Sequence, residues 1–179
     1  MSEEPKKQKS EVKSWVICIL CAAAAAILLR MFVFEIVNVS GQSMVPTLAD
    51  GESLFVEKVS RYFGDVHRKD IVIIKYKSEN EPYVKRVVGL PGDTVAVHDG
   101  ALYVNGEKWD EPYINTDYID YELDEETVPE NCYFVLGDNR NESQDSADLG
   151  PVTRDELIGH ALCIVWPIGR IGGIPTATK

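Results

Sequence analysis

Apolar positions follow two different rules along this chain. From Trp15 to Leu29 no residue is charged: Trp-Val-Ile-Cys-Ile-Leu-Cys is followed by five alanines and Ile-Leu-Leu. After Arg30 the run Met31–Phe34 is apolar again. The segment is apolar on all faces rather than along one stripe, which separates it from the amphipathic helix of a soluble core. Fifteen uncharged residues fall short of the ~20 that a bilayer asks for. Arg30 snorkelling to the far headgroups extends the span from about Ser14 to Phe34. Trp15, Phe32 and Phe34 stand where interfacial aromatics are favoured. A cleaved leader would share this basic-then-apolar order, but the alanines lie mid-span and large apolar residues follow them.

Past Gly51 the period shortens. Ser53–Val59, Ile71–Tyr76, Tyr83–Val88 and Thr94–His98 are short runs rich in Val, Ile, Tyr and Phe, separated by Gly, Pro, Asp and Asn, and they read as strands. Asp99-Gly100 and Asn105-Gly106 are tight-turn signals that join Thr94–His98, Ala101–Val104 and Glu107–Trp109 into an antiparallel meander. Cys132–Leu136 and Ile158–Trp166 read as later core strands. Thr153-Arg154-Asp155-Glu156 has the spacing of a capping box and predicts one short helical turn. The expected fold is therefore mainly β: a cytoplasmic tail over residues 1–14, a transmembrane anchor over 15–34 and an extracytoplasmic β-rich domain over 35–179. The lysines ahead of Trp15 argue for an N-terminus left in the cytoplasm.

Charge narrows the function classes. The formal net charge is −11, and the part from Glu35 onward holds 26 acidic against 13 basic residues. So acidic a body lacks the basic footprint of a nucleic-acid binder. Asp110–Glu130 contains nine acids and neither Lys nor Arg; it reads as a solvated surface excursion with Tyr113, Tyr118 and Tyr121 folded back where they can. Cys132 and Cys163 can pair only if their Cα atoms come within about 7 Å, and two free buried thiols are the default.

Three segments carry chemistry. Ser43, in Ser40-Gly41-Gln42-Ser43-Met44-Val45-Pro46, follows the apolar span by few residues, and a serine needs a neighbouring base to become a nucleophile. His67, His98 and His160 stand in no recognisable triad setting. Lys85 is a different kind of base. In Tyr83–Val88 it shares a face with Tyr83 and Val87, while Arg86 points the other way with Val84 and Val88. One of these cations must enter the interior or lie along an apolar surface, and a buried amine becomes easier to deprotonate. Gly41 permits close backbone approach ahead of Ser43, whose N–H suits an oxyanion hole. The third segment, Gly137–Ser146, is a turn by composition, in which Asp138, Arg140 and Asp145 can form an ion-pair net. It lacks the terminal bidentate Glu of a calcium loop, and no metal or cofactor is expected.

Taken in order after an N-terminal span, these motifs closely resemble bacterial type I signal peptidase, in its single-span Gram-positive form. Ser43–Leu48 carries the family pattern Ser-Met-x-Pro-Thr-Leu, and Lys85–Asp93 carries Lys-Arg-x-x-Gly-x-Pro-Gly-Asp. Arg68–Ile73 and Gly137–Asp145 look like the family's intervening strand and C-terminal box. The resemblance implies a Ser43 nucleophile, a Lys85 general base, Ser143 orienting the lysine, and Asp138, Arg140 and Asp145 bracing the site. It also implies translocated preproteins cut after small residues at the first and third positions before the bond, close to membrane lipid and the secretion translocon. Two departures stand out. Ala147 occupies a position that is often Arg, and Gly41 one that is Ser in some members. Two rivals share the parts: a soluble Ser/Lys autoprotease of the repressor-cleaving kind, which has no use for the anchor, and a tethered non-catalytic domain, which has no use for an intact Ser43, Lys85 and Ser143.

Overall fold

The change from helix to strand falls at Val33. In the computed structural model, which describes residues 5–175 apart from Asn115, α1 (Pro5–Phe32) runs straight into β1 (Phe34–Asn38). Its side chains from Glu11 onward are almost all exposed, and Glu11–Phe32 is long and apolar enough to cross a membrane. The Val33 carbonyl accepts the Lys58 N–H at 2.8 Å, tying the helix end directly to the body.

The body contains β2 (Ser53–Glu57), the single turn α2 (Ser60–Phe63), β3 (Ile71–Ile74), β4 (Tyr83–Gly89), β5 (Thr94–His98), β6 (Ala101–Val104), β7 (Glu107–Lys108), β8 (Leu123–Thr127) and β9 (Cys132–Leu136). The single turn α3 (Ser146–Leu149), β10 (Val152–Thr153), β11 (Leu157–Trp166) and β12 (Gly172–Gly173) complete it. All pairings are antiparallel. The larger sheet runs β1-β2-β11-β3-β4-β9-β10 with β12 on β11, and the smaller one β7-β6-β5-β8. The mainly β expectation is met, and the strands foreseen are present within a residue or two at most ends. Both hairpin turns take the expected form: Asp99 and Gly100 have φ of 52° and 73°, Asn105 and Gly106 of 54° and 76°. The Thr153 N–H donates to the Glu156 carboxylate at 2.9 Å at the start of a 3₁₀ turn, as the capping-box spacing predicts.

Four strands went unforeseen: β1, β8 and the two-residue β10 and β12. β1 is short and leaves Ile36 61% exposed, so its alternation is weak in sequence. β8 lies inside the acidic stretch and pairs with β5 through Thr94–Thr127, Val95–Glu126 and Val97–Leu123. Its charges suit an edge strand, where they discourage pairing with other chains. Tyr113 and Tyr121 do fold inward, whereas Tyr118 stays 59% exposed. All four cysteines are free, and Cys132 and Cys163 are half-buried rather than buried.

Apolar packing forms three groups. Met44 and Leu48 of the Ser43 loop pack with Leu54, Val56, Ile71, Ile73 and Val84 on one face of the large sheet. Val72, Val87, Tyr133, Val135 and Leu157 form the other face. Val88, Phe134 and Leu136 meet Val95, Val97 and Leu102 where the two sheets join. Phe134 is fully buried at that junction, so Phe134→Ala is expected to cost about 3–5 kcal/mol in chemical unfolding. A loss below about 1 kcal/mol would mean that the small sheet is held by other contacts.

Candidate active site

The loop between β1 and β2 is anchored on both sides of Ser43. Gly41 turns the chain at φ +87°, and its N–H donates to Asp50 Oδ1 at 2.8 Å. The Gly41 donor is thus occupied within the loop. Met44 and Leu48 are sunk in the core, and Leu48 N–H reaches the Met44 carbonyl at 2.9 Å. The Ser43 carbonyl accepts the Asn139 N–H at 2.9 Å, while the Ser43 hydroxyl and N–H have no hydrogen-bond partner among the described residues. This loop therefore leans on the segment that follows β9.

Lys85 and Arg86 are consecutive on β4 and point to opposite faces. Alternation requires one of the two to enter the interior or lie along an apolar surface; both enter, each 1% exposed. They are satisfied in different ways. Arg86 donates to both oxygens of Asp138, at 2.8 and 2.6 Å, and to the Lys69 carbonyl at 3.0 Å, with its guanidinium 4.0 Å from the centre of the Tyr113 ring. The Thr47 hydroxyl donates to the same Asp138 carboxylate, which connects the Ser43 loop to β4. Lys85 has no carboxylate within ion-pair distance among the described residues; its Nζ donates to Ser143 Oγ at 2.9 Å. Burial lowers its pKa to about 8, against the upward pull of Asp145, Asp138 and Asp148.

Asp145 supports Ser143. Its carboxylate accepts the Ser143 hydroxyl at 2.5 Å and the Gly137 N–H at 2.9 Å, and it caps α3 through Ala147 N–H at 3.1 Å. Burial raises the Asp145 pKa, opposed by these hydrogen bonds and by Lys85. Gly137 sits at the centre of the arrangement. A Cβ there would collide with both Ser143 Oγ and the Ser43 carbonyl oxygen, so the two serines meet across a position with no room for a side chain. The net expected among Asp138, Arg140 and Asp145 does not form. Asp138 takes Arg86, and Arg140 instead pairs through both terminal nitrogens with Glu111, while its Nε donates to the Gly137 carbonyl at 2.9 Å.

Four participants escaped sequence reasoning as site residues: Arg86, Thr47, Glu111 and Tyr113. Alternation marked Arg86 as the cation of the opposite face. Nothing distinguished Glu111 from the other acids around it. Of the histidines, His67 and His98 are well exposed. His160 is not the isolated residue its sequence setting suggests, since Ser60 Oγ lies 3.1 Å and Glu57 Oε1 3.5 Å from its Nδ1. Both face the same ring nitrogen and Nε2 is buried without a partner, whereas a relay triad needs serine and carboxylate on opposite nitrogens. Beside Ser43 lies a cavity of about 190 Å³ lined by residues that include Val37, Val39, Met44, Pro82 and Tyr83.

Known proteins share this framework. Residues 12–166 match the family described as signal peptidase, peptidase S26. A signal peptidase I of Bacillus licheniformis is 42% identical over 179 aligned residues, covering 94% of this chain and 96% of that protein. Signal peptidase I P of Bacillus subtilis subsp. natto is 40% identical with the same coverage. A crystal structure of a signal peptidase I from Enterococcus faecalis V583 superposes with a TM-score of 0.48 at 32% identity, over 54% of this chain and 96% of that one. On the family match and the similarity along nearly the full length, the chain belongs to the signal peptidase family, peptidase S26, and is a serine endopeptidase of the signal peptidase I type.

Proposed function

We propose that this chain is a membrane-anchored enzyme that removes signal peptides from translocated preproteins with a Ser43 nucleophile and a Lys85 general base. The observation that carries the reading is the Lys85 amine, buried, drawn down to a pKa of about 8 and bonded to a neutral hydroxyl that meets the Ser43 carbonyl across Gly137. In the acylation step, Ser43 Oγ attacks the scissile carbonyl carbon as its proton passes to Lys85 Nζ. The resulting ammonium then protonates the departing amine as the C–N bond breaks, leaving the signal peptide esterified to Ser43. Water attacks the ester with Lys85 again taking the proton, and the Ser43 hydroxyl is restored. Ser143 orients the amine, and Asp145 fixes Ser143. The Ser43 N–H is the backbone donor in reach of the developing oxyanion.

The cavity of about 190 Å³ beside Ser43 would receive the residues before the bond, and short side chains at the first and third of these positions are what the family resemblance implies. β1 is an edge strand, open to an extended peptide laid along it. Topology follows from α1. Lysines 6, 7, 9 and 13 hold the N-terminus in the cytoplasm, the helix spans the lipid, and the domain emerges on the far side. Ser43 lies nine residues past Phe34, at most ~30 Å along an extended chain. The site thus works beside the outer leaflet, near the translocon from which signal peptides emerge.

Ser43→Ala is expected to reduce cleavage of a precursor to background. Lys85→Ala should slow it ~10²–10⁴-fold, and Lys85→Arg should fail as well, because guanidinium stays protonated. Turnover retained by Lys85→Arg would exclude the neutral-amine mechanism. A base works only when unprotonated, so kcat/KM should climb with pH and level off above about 8; a flat profile from about pH 5 to 9 contradicts the assignment. Removing residues 1–33 should slow cleavage of vesicle-inserted precursors roughly 10²-fold through lost effective concentration. Equal rates for the truncated and full chains would sink the idea that proximity to the membrane selects the substrate.

A further inference from the structure

The acidic stretch after Trp109 begins with two residues that are folded against the site. The Glu111 side chain is 6% exposed and holds Arg140, which is fully buried. Tyr113 is 1% exposed, donates its hydroxyl to Glu111 Oε1 at 3.0 Å and lies under the Arg86 guanidinium at 4.0 Å. Farther along, Asp120 N–H and the Tyr118 carbonyl bond the Asn141 side chain at 3.1 and 3.3 Å. Glu111, Tyr118 and Asp120 thus strap the loop that carries Ser143.

We propose that Glu111 is a positioning residue for peptide-bond cleavage, acting through Arg140 and the Gly137 carbonyl to hold Ser143 against Lys85. The inference rests on the Ser43/Lys85 reading above. Two sets of hydrogen bonds meet at the Gly137 backbone: the Glu111 carboxylate holds Arg140, whose Nε donates to the Gly137 carbonyl, and the Gly137 N–H donates to Asp145, which accepts the Ser143 hydroxyl that receives Lys85 Nζ. Gly137 has little room to shift, because the space a Cβ would take is filled by Ser143 Oγ and the Ser43 carbonyl oxygen. Arg140 has no other carboxylate in ion-pair distance among the described residues. Without Glu111 its buried charge must seek water, and the Gly137 carbonyl loses its donor.

The test uses the full chain in detergent micelles with a signal-peptide-bearing precursor. Glu111→Gln is expected to lower kcat on the high-pH plateau by about 10²-fold with little change in KM, the effect of a misplaced catalytic group. The acid limb of the pH profile should also move to lower pH. Lys85 loses an acceptor that favours its charged form, and it then faces an unneutralised Arg140. Glu111→Asp, which keeps the charge, should recover part of the rate. Native kcat per folded molecule, or a fall in kcat with the limb unmoved, overturns the proposal and leaves a purely structural ion pair. Should Glu111→Gln not fold, Tyr113→Phe loosens the hold on that carboxylate by removing the phenol donor from Oε1, leaving it to Arg140 alone, while keeping the ring on Arg86. Lower kcat with a displaced limb supports the proposal there, and native values of both overturn it. Lys85→Ala run alongside separates the two claims. Activity surviving in that variant rejects the Ser/Lys reading, whereas its loss together with native behaviour of Glu111→Gln rejects only the role of Glu111.

Discussion

Lys85 Nζ has exchanged water for one neutral acceptor, the Ser143 hydroxyl, and carboxylates are kept a step away from it. Asp145 reaches the lysine only by way of Ser143, and Asp138 is occupied by Arg86 and Thr47. This separation governs which way the lysine's proton affinity moves. A carboxylate in direct contact would favour the ammonium and raise its pKa; a hydroxyl does so far less, leaving desolvation in control. In the mechanism proposed above, an amine poised near pH 8 is basic enough to take the Ser43 proton and neutral often enough to do so. Much of the surrounding architecture keeps anions near the site without letting them touch the lysine.

Burying two neighbouring cations on one strand is costly, and the two faces of β4 meet that cost differently. On the Arg86 face, a bidentate carboxylate, a threonine hydroxyl, a backbone carbonyl and an aromatic ring satisfy a group that cannot lose its charge. Pairs of this kind add little net stability compared with apolar packing, but breaking one leaves a stranded charge. Their value lies in geometry. Thr47 follows Ser43 by four residues and Arg86 follows Lys85 by one, so the shared Asp138 fixes the serine loop against the lysine strand. Arg140 and Glu111 fix the opposite side of the Gly137 loop in the same manner.

The apolar helix joins this unit closely. α1 ends at Phe32, the Val33 carbonyl is bonded to Lys58, and β1 carries the chain to the Ser43 loop within a few residues. The site is thus held at a short, fixed reach from the helix end rather than on a flexible tether. On the function proposed above, an exposed apolar helix so close to Ser43 suits a substrate that is itself inserted in lipid.

An uncharged run, short alternating segments and Asp-Gly and Asn-Gly turns announce the span, the core strands and both hairpins, because these depend on residues adjacent in sequence. Ser43, Lys85 and the Gly137–Asp145 loop are legible as a candidate site for a related reason: their residue types and order single them out before any contact is known. The partners of the charged groups are not legible in this way. Nothing local tells Glu111 from the acids around it, pairs Asp138 with Arg86 instead of Arg140, or makes a strand of Leu123–Thr127. Those outcomes depend on which chain segments cross near Gly137 and on which charges burial then forces together, a matter of long-range packing and desolvation that only the folded chain decides.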